Sequence, residues 1–521
     1  MPTAATLRVR PLHMLCGLLL GLGLATSAGA QDIKPLGQGD LAWLRRDGFG
    51  LDSQTIARYE QLGRRRFLDR QLAGDDDSLP PAIRHLLDSY TVVNTPPDQL
   101  LVEFRRRFKS VRDMPAGDAK NAAKKALLKT RRQLFLQDAE VEMLHAVYGG
   151  NQLKEQMVWF WLNHFSVYAP KGPVGLFATD YEDRVIRPHA LGKFKDLVMA
   201  VLQSPAMLVY LDNVHNVKSK TNENYARELM ELHTLGVGSG YTQQDVQQLM
   251  AILTGAGIAP FARPGWHGRR MRPGFVRDGM FVFNPNKHDF SNKVFLGHTI
   301  RGSGYDEIEQ AIDLIVRQPA CAHFISQQLA EYFVADKPPP ALVDAMARTF
   351  QHSDGDIAAV LRTLFTSKAV TADYGRKFKD PFRFVVSSMR LAYDGQPIRN
   401  AAPLVNWVRQ MGEAPYGRIT PDGWPLDSAS WSGSGQMAKR FVVARAIGSG
   451  HNRLFDPAPT NSPDRMTPMT PHMPPTIQNT ALFRASFAPH LSAATRKALA
   501  QARSPQQWNT YLLSSPDFNE R

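Results

Sequence analysis

The chain has 521 residues, 62 basic against 48 acidic side chains, a formal net charge of +14 and two cysteines. That length suffices for a large core or several domains, and two cysteines exclude a disulfide framework. The positive balance points to anionic polymers or a membrane surface as neighbours, while no specific nucleic-acid motif is present.

Arg8 and Arg10 precede an apolar run over 15–24, and Ala28, Gly29 and Ala30 put small residues where a signal peptidase reads. Residues 1–30 are therefore expected to be a signal peptide, and the protein to be exported to the periplasm or the extracellular space. The run of about ten apolar residues is too short for a bilayer, which needs roughly 20. No later stretch is apolar enough, so no transmembrane span is expected in the mature chain. Cleavage removes Arg8 and Arg10, taking the charge from +14 to +12, and also removes Cys16. Cys321 remains in an apolar helical pattern, as a buried thiol rather than a nucleophile.

Two short helices are expected over 40–72, broken at Gly48, Phe49 and Gly50, with Asp52 or Ser53 capping the second. An acidic linker follows at 75–81. Residues 105–109 and the lysines and arginines of 120–132 read as a solvated helix face or as a patch facing a polyanion. The composition of 116–147, rich in Ala, Lys, Leu and Glu, predicts long helix. Further helices are expected at 153–165 and 193–202. Short strands, a small hairpin, are expected at 280–284 and 293–296 inside an irregular insertion, 260–304, of the kind that carries binding loops. Four successive helices follow at 305–315, 322–333, 340–350 and 356–365, then three more at 381–391, 401–411 and 437–447. Residues 412–434 are rich in Gly, Pro and Trp, too aromatic to read as disordered. The expected organisation is a main helical domain at 31–450, with a Pro-rich segment and terminal helices at 451–521 packing on it. The fold class is mainly α: a multi-helix, bundle-like body with a small β-hairpin insertion and long loops. Residues 201–205, 364–367 and 512–516 read as similar helix ends, stopped by proline or serine.

The stretch 221–257 carries the densest chemistry. Asn224, Glu228 and Glu231 share one face of an expected helix over 222–235, because residues three and four apart stack. Gly236, Gly238 and Gly240 stop it, and Thr242 with Asp245 opens a second helix as an aspartate variant of the capping box. Two carboxylates three residues apart can share a proton or a cation, and in a closed pocket one can be held protonated as a general acid. The same acids can instead pair with Arg227 on an ion-paired helix surface. His164, next to Asn163, stands in an aromatic run from Trp159 to Phe165, as a core histidine or a ligand-orienting one. His288, Asp289 and Lys293 combine an imidazole, an acid and an amine on an irregular segment, suited to proton transfer or to a turn capped by Asp289. No GxSxG elbow, Walker sequence or Rossmann fingerprint occurs. The cofactor is unassigned: there is no haem-attachment motif, no structural zinc is expected because the ligand spacing is absent, and metal binding is left open.

The chain resembles the large bacterial family catalogued as domain of unknown function 1800. Residues 222–255, NENYARELMELHTLGVGSGYTQQDVQQLMAILTG, match its central signature, and LRRDGFG over 44–50 its N-terminal one. WFWLNHF over 159–165, FNPNKHDFSNKVFLG over 283–297 and LLSSPDF over 512–518 also match, so the resemblance covers roughly 40–518. It implies an exported, mostly helical protein and marks Asn163, His164, Asn224, Glu228, Glu231, His288, Asp289 and Lys293 as signature members without giving them roles.

Two functions are weighed. The first is an exported enzyme acting on an extracytoplasmic polymer by carboxylate-assisted acid–base chemistry. Glu228, Glu231, His288 and Asp289 would be catalytic, and Asn163, His164, Asn224, Arg227 and Lys293 would bind substrate. The second is a non-catalytic helical scaffold or binding module of a cell-envelope complex. The expected partner is an anionic polymer or a cell-envelope protein.

Overall fold

A buried helix at the centre, Gln152–His164, sets the geometry of the rest. Asn151 caps it by accepting from the Lys154 N–H, and its Nδ2 donates to Gln71 O at 2.7 Å. Every residue of this helix except Asn163 is buried, as expected for a helix surrounded by others. Beside it lies Pro381–Tyr393, capped by Asp380 and buried along its whole length. Trp159 stacks on Phe382 with centroids 3.8 Å apart, and Arg383 donates to the side chain of Gln156. These offset contacts tie the two helices through both dispersion and a buried hydrogen bond.

The structure, a computed structural model, describes residues 33–259, 273–372, 377–457 and 472–521. The signal-peptide reading, the start of the 260–304 insertion and most of the Pro-rich segment lie outside the described residues. Ile33–Arg521 make up one compact unit. With 63% helix and 5% strand, the fold is mainly α.

The N-terminal signature docks directly on the central pair. Helix Gln38–Asp47 leads into Gly50, where a Cβ would stand 2.8 Å from Ser387 Cα, so only glycine fits. Arg390 then donates to Gly50 O at 3.0 Å and Val147 O at 2.6 Å and pairs with Asp52 at 2.9 Å. Asp52 caps helix Ser53–Ala73, which bends at Gly63. Helix Pro97–Asp113, which the sequence reading did not delimit, runs into Asp118–Tyr148 as a helical hairpin. Four helices expected in series are present as Tyr305–Val316, Pro319–Phe333, Pro340–His352 and Ile357–Thr366. Cys321 is buried on the second of them, its thiol pushed up by burial. Near the C-terminus, Ser434–Ser449 packs on Pro505–Ser514, where Asn509 Nδ2 donates to Gly448 O at 3.0 Å.

The three similar helix ends prove to be junctions. Each serine closes one helix and caps the next: Ser204 accepts from Ala206 N, Ser367 from Ala369 N and Ser515 from Phe518 N. Proline at the first position of the following helix needs no N–H partner there.

The strands differ in pairing from the single hairpin expected. β1 (Ala256–Ile258), β2 (Val276–Asp278) and β3 (Phe281–Phe283) form an antiparallel sheet in the order β1-β3-β2. Among the described residues, β4 (Lys293–Phe295) pairs only with β5 (His298–Ile300). The reason is local: a 3-10 turn at Pro285–Lys287 and the buried His288 separate β3 from β4.

A second difference concerns the helix expected over 222–235. It is α-helical only over Asn224–Glu228 and continues as a π-helical turn over Leu229–Thr234. The wider turn lets the Thr234 hydroxyl bond Leu229 O at 2.6 Å and carries His233 into the core. A second π-helical turn, Tyr181–Ile186, lies beside the central helix. Such turns gather at functional positions.

Candidate functional site

The C-terminal end of the central helix opens into a cleft of about 290 Å³. It is lined by Asn163 and His164 from that helix, Glu231 from the π-helical turn, Phe324 from Pro319–Phe333, and Asp422 and Trp424 from the 412–434 loop. Two signature segments therefore meet here, and a third segment closes the site.

Asn163 is spent on holding that loop. Its Oδ1 accepts from Trp424 N at 2.6 Å and its Nδ2 donates to Trp424 O at 2.9 Å. Gly423, with φ +72, brings its backbone so close that a Cβ would lie 2.3 Å from Asn163 O. The loop is fastened at two more points. Tyr416 Oη donates to Glu182 at 2.8 Å, and Ser428 N and Oγ donate to Asp336 at 2.9 and 3.0 Å. A segment with such anchors is a wall of the site, although its Gly and Pro content reads as loop.

His164 Nε2 stands 3.0 Å from His233 O. A carbonyl only accepts, so this nitrogen carries the proton and Nδ1 keeps its lone pair. Burial lowers His164 to about 4 and His233 to about 3, and both are neutral at neutral pH.

The acids in and near the cleft are set apart in acidity. Burial, then Glu231 and Asp422, raises Glu228 above the ordinary carboxylate range. For Asp422 burial works in the same direction, but donors from Arg418 and Thr420 outweigh it and hold the group below its ordinary value. Arg418 pairs with Asp422 at 2.7 Å and lies over the Trp424 ring, 5.5 Å from its centroid. Glu231 is bound by Arg227 at 3.1 Å, and Arg227 also pairs with Glu223 at 3.0 Å. Burial and the Glu231 carboxylate push Tyr241 up to about 12. Asn224 donates to Leu211 O at 3.2 Å, fixing the start of its helix. A carboxyl raised above its ordinary range near one held below it is the arrangement acid–base pairs use.

His288, Asp289 and Lys293 are placed elsewhere. His288 is fully buried, with Nδ1 2.8 Å from Thr254 O and Nε2 2.8 Å from Glu307 Oε1. Lys293 Nζ donates to Glu307 Oε2 at 2.6 Å and to Asp289 O. Asp289 caps the turn by accepting from Ser291 N at 2.8 Å. None of these contacts reaches the cleft. The sequence showed the three residues but not Glu307, fourteen residues past Lys293, which organises them.

The reading from sequence also missed Asp422, Trp424 and a buried charge cluster. In that cluster Arg187 donates to Glu155 at 2.7 and 2.9 Å and to Glu182 at 2.7 Å. Glu142, fully buried, is raised by burial and by Glu182. Burial lifts Asp138 to about 8 even though Thr179 donates to it. The spacing Asp138, Glu142, His145 on one helix face was the available signal. Through Tyr416 this cluster supports the cleft wall.

A larger cavity, about 580 Å³, lies instead along the two helices of the 97–148 hairpin. Its lining mixes leucines with polar and charged side chains, and it holds none of the signature polar residues. Among the described residues no group of three or more His, Cys, Asp or Glu side chains is arranged to hold a metal ion, and no helix is long and apolar enough to cross a membrane.

No curated protein and no solved structure matches the chain significantly. A family model described as "Protein of unknown function (DUF1800)" matches residues 42–520, nearly the whole chain, and the protein belongs to that family.

Proposed function

We propose that the protein is an exported enzyme, working in the periplasm or outside the cell, that cleaves an extracytoplasmic polymer by carboxylate acid–base chemistry. The observation that supports it is that Glu231 and Asp422 line one cleft beside Trp424, with Glu228 near enough to feel the charge of both. Glu228, its carboxyl raised by burial and by the neighbouring acids, is the general acid. Asp422, held ionised by Arg418 and Thr420, is the base or the group that stabilises positive charge developing on the substrate. Trp424 and Phe324 supply ring surfaces against which a sugar-like unit can stack. His164 Nδ1 offers an acceptor to a substrate hydroxyl. His288, Asp289 and Lys293 then act on stability rather than on chemistry.

The test is a screen of cell-envelope and extracellular polymers, followed by Glu228→Gln and Asp422→Asn in the hit assay. Each variant should lower kcat by at least about 10²-fold while keeping the wild-type circular dichroism. The rate should follow a bell in pH, falling below the Asp422 pKa and above the raised Glu228 pKa. An activity untouched by both substitutions sinks the assignment.

A second reading, the non-catalytic scaffold or binding module, has its own support. Asn163, Arg227, Glu231, His288 and Lys293 all spend their polar atoms on neighbours within the protein. Polymer binding at the cleft without turnover, weakened equally by Trp424→Ala and unaffected by Glu228→Gln, would favour it.

A further inference from the structure

The helical hairpin of Pro97–Asp113 and Asp118–Tyr148 concentrates the charge of the protein. Residues 97–132 hold eleven basic and four acidic side chains, a net +7 out of +14 for the whole chain. Only Leu101 of the first helix is buried, and residues 118–130 of the second are at least partly exposed throughout. Glu103 neutralises Arg106 and Arg107, and Asp113 pairs with Arg112. Among the described residues no carboxylate lies within ion-pair distance of Lys109, Lys124, Lys125, Lys129 or Arg132.

Apolar groups stand among these cations. Phe108 is 52% exposed and Leu128 53% exposed. Phe108 stacks on Phe104, 6.2 Å between centroids, and Phe104 lines the 580 Å³ cavity together with Leu100, Leu127 and Leu134. Leu128 lines a smaller, almost wholly apolar cleft of about 250 Å³ with Phe135 and Pro170, and the two clefts share Arg131 and Leu176. A hydrophilic polyanion would satisfy the lysines and leave Phe108, Leu128 and both clefts facing water. A lipid surface meets both demands, because headgroups take the cations and acyl chains take the apolar groups.

We infer that this hairpin is the docking surface of the protein for an anionic lipid bilayer. It lies in the headgroup layer with Phe108 and Leu128 inserted toward the acyl chains. The inference is independent of the cleft chemistry and places the enzyme's working surface at a membrane. The mature full-length chain is mixed with vesicles of phosphatidylcholine alone or with phosphatidylglycerol, and binding is read by co-flotation at low and high salt. Binding should be at least about tenfold tighter to the phosphatidylglycerol vesicles and should weaken with salt. Lys124→Glu with Lys125→Glu and Lys129→Glu should weaken it at least about tenfold, since each lysine near such a surface is worth about fivefold. Phe108→Ser with Leu128→Ser should weaken it by a similar factor at unchanged salt slope. Independently, Leu128→Cys carrying an environment-sensitive fluorophore should shift to the blue with phosphatidylglycerol vesicles and not with polyphosphate. Equal partition to neutral vesicles, absence of binding, or a label that responds to polyphosphate alike would overturn the inference; the last result would reassign the face to a soluble polyanion.

Discussion

Replacing Glu307 by glutamine should cost about 3–5 kcal/mol of stability at neutral pH, the range for breaking a buried ion pair. The magnitude follows from how many partners share one buried carboxylate. His288 stands with Nδ1 2.8 Å from Thr254 O and Nε2 2.8 Å from Glu307 Oε1. Lys293 Nζ donates to Glu307 Oε2 at 2.6 Å, and Gly304 N–H donates to Oε1 at 2.8 Å. His288 and Glu307 have no exposure and Lys293 has 1%. Glutamine offers one oxygen to three donors and turns an NH₂ toward a cation. Burial alone would raise Glu307, but these donors outweigh it and hold the group below 4.5. A carboxylate with a lowered folded pKa stabilises above its unfolded pKa and loses that contribution as pH falls through the folded value. The difference between wild type and variant should thus be full at pH 7, begin to shrink below about pH 4.5, and vanish in stronger acid. Urea unfolding followed by circular dichroism at pH 7, 5 and 3 reads it. A difference under about 1 kcal/mol at pH 7, the scale of an exposed pair, would refute the buried-pair account and reopen His288 as a catalytic group.

Gly423→Ala should lose about 1–3 kcal/mol and weaken any cleft ligand, since φ is +72 and the new methyl meets Asn163 O; calorimetry beside a binding titration checks both. Asn163→Ala removes both amide contacts to Trp424, so trypsin should cut at Arg418 several-fold faster than in wild type, with helix content unchanged. Arg187→Met leaves Glu155 and Glu182 without their counter-ion and should cost about 3–5 kcal/mol. Burial already raises Glu155 and takes Asp138 to about 8, so the deficit should grow as pH rises from 5 to 8; a deficit that shrinks over that window contradicts the network.

Helix positions were legible where apolar spacing and caps agree, as for Thr242 with Asp245, whose reciprocal capping box is present. Asp52 and Asp356 also cap as their positions suggest. The π-helical turn at Leu229–Thr234 was not legible, because an extra residue in a turn leaves the residue types of an α-helix unchanged. Nor was the pairing of β4 with β5 rather than β3, since three-residue strands carry too little alternation to set register. At the cleft, the sequence supplied Asn163, His164, Glu228 and Glu231 but not Asp422 and Trp424. Those two lie in a glycine- and proline-rich stretch without periodicity, and only tertiary anchors give it a shape. Glu140 illustrates the converse: burial lifts it to about 7 despite a Tyr90 contact, on a helix whose first half reads as solvated.

The clamp between Asn163 and Trp424 joins residues 261 positions apart. A contact of that span closes slowly, because the entropy of a long loop must be spent before the contact stabilises anything. The cleft cannot exist on a growing or threading chain until residue 424 is free to fold, however early the central helix forms. An unfinished or half-refolded molecule will therefore show native helicity with no site. Recovery of cleft binding, measured against recovery of far-ultraviolet signal, gives a clock for the last step of folding.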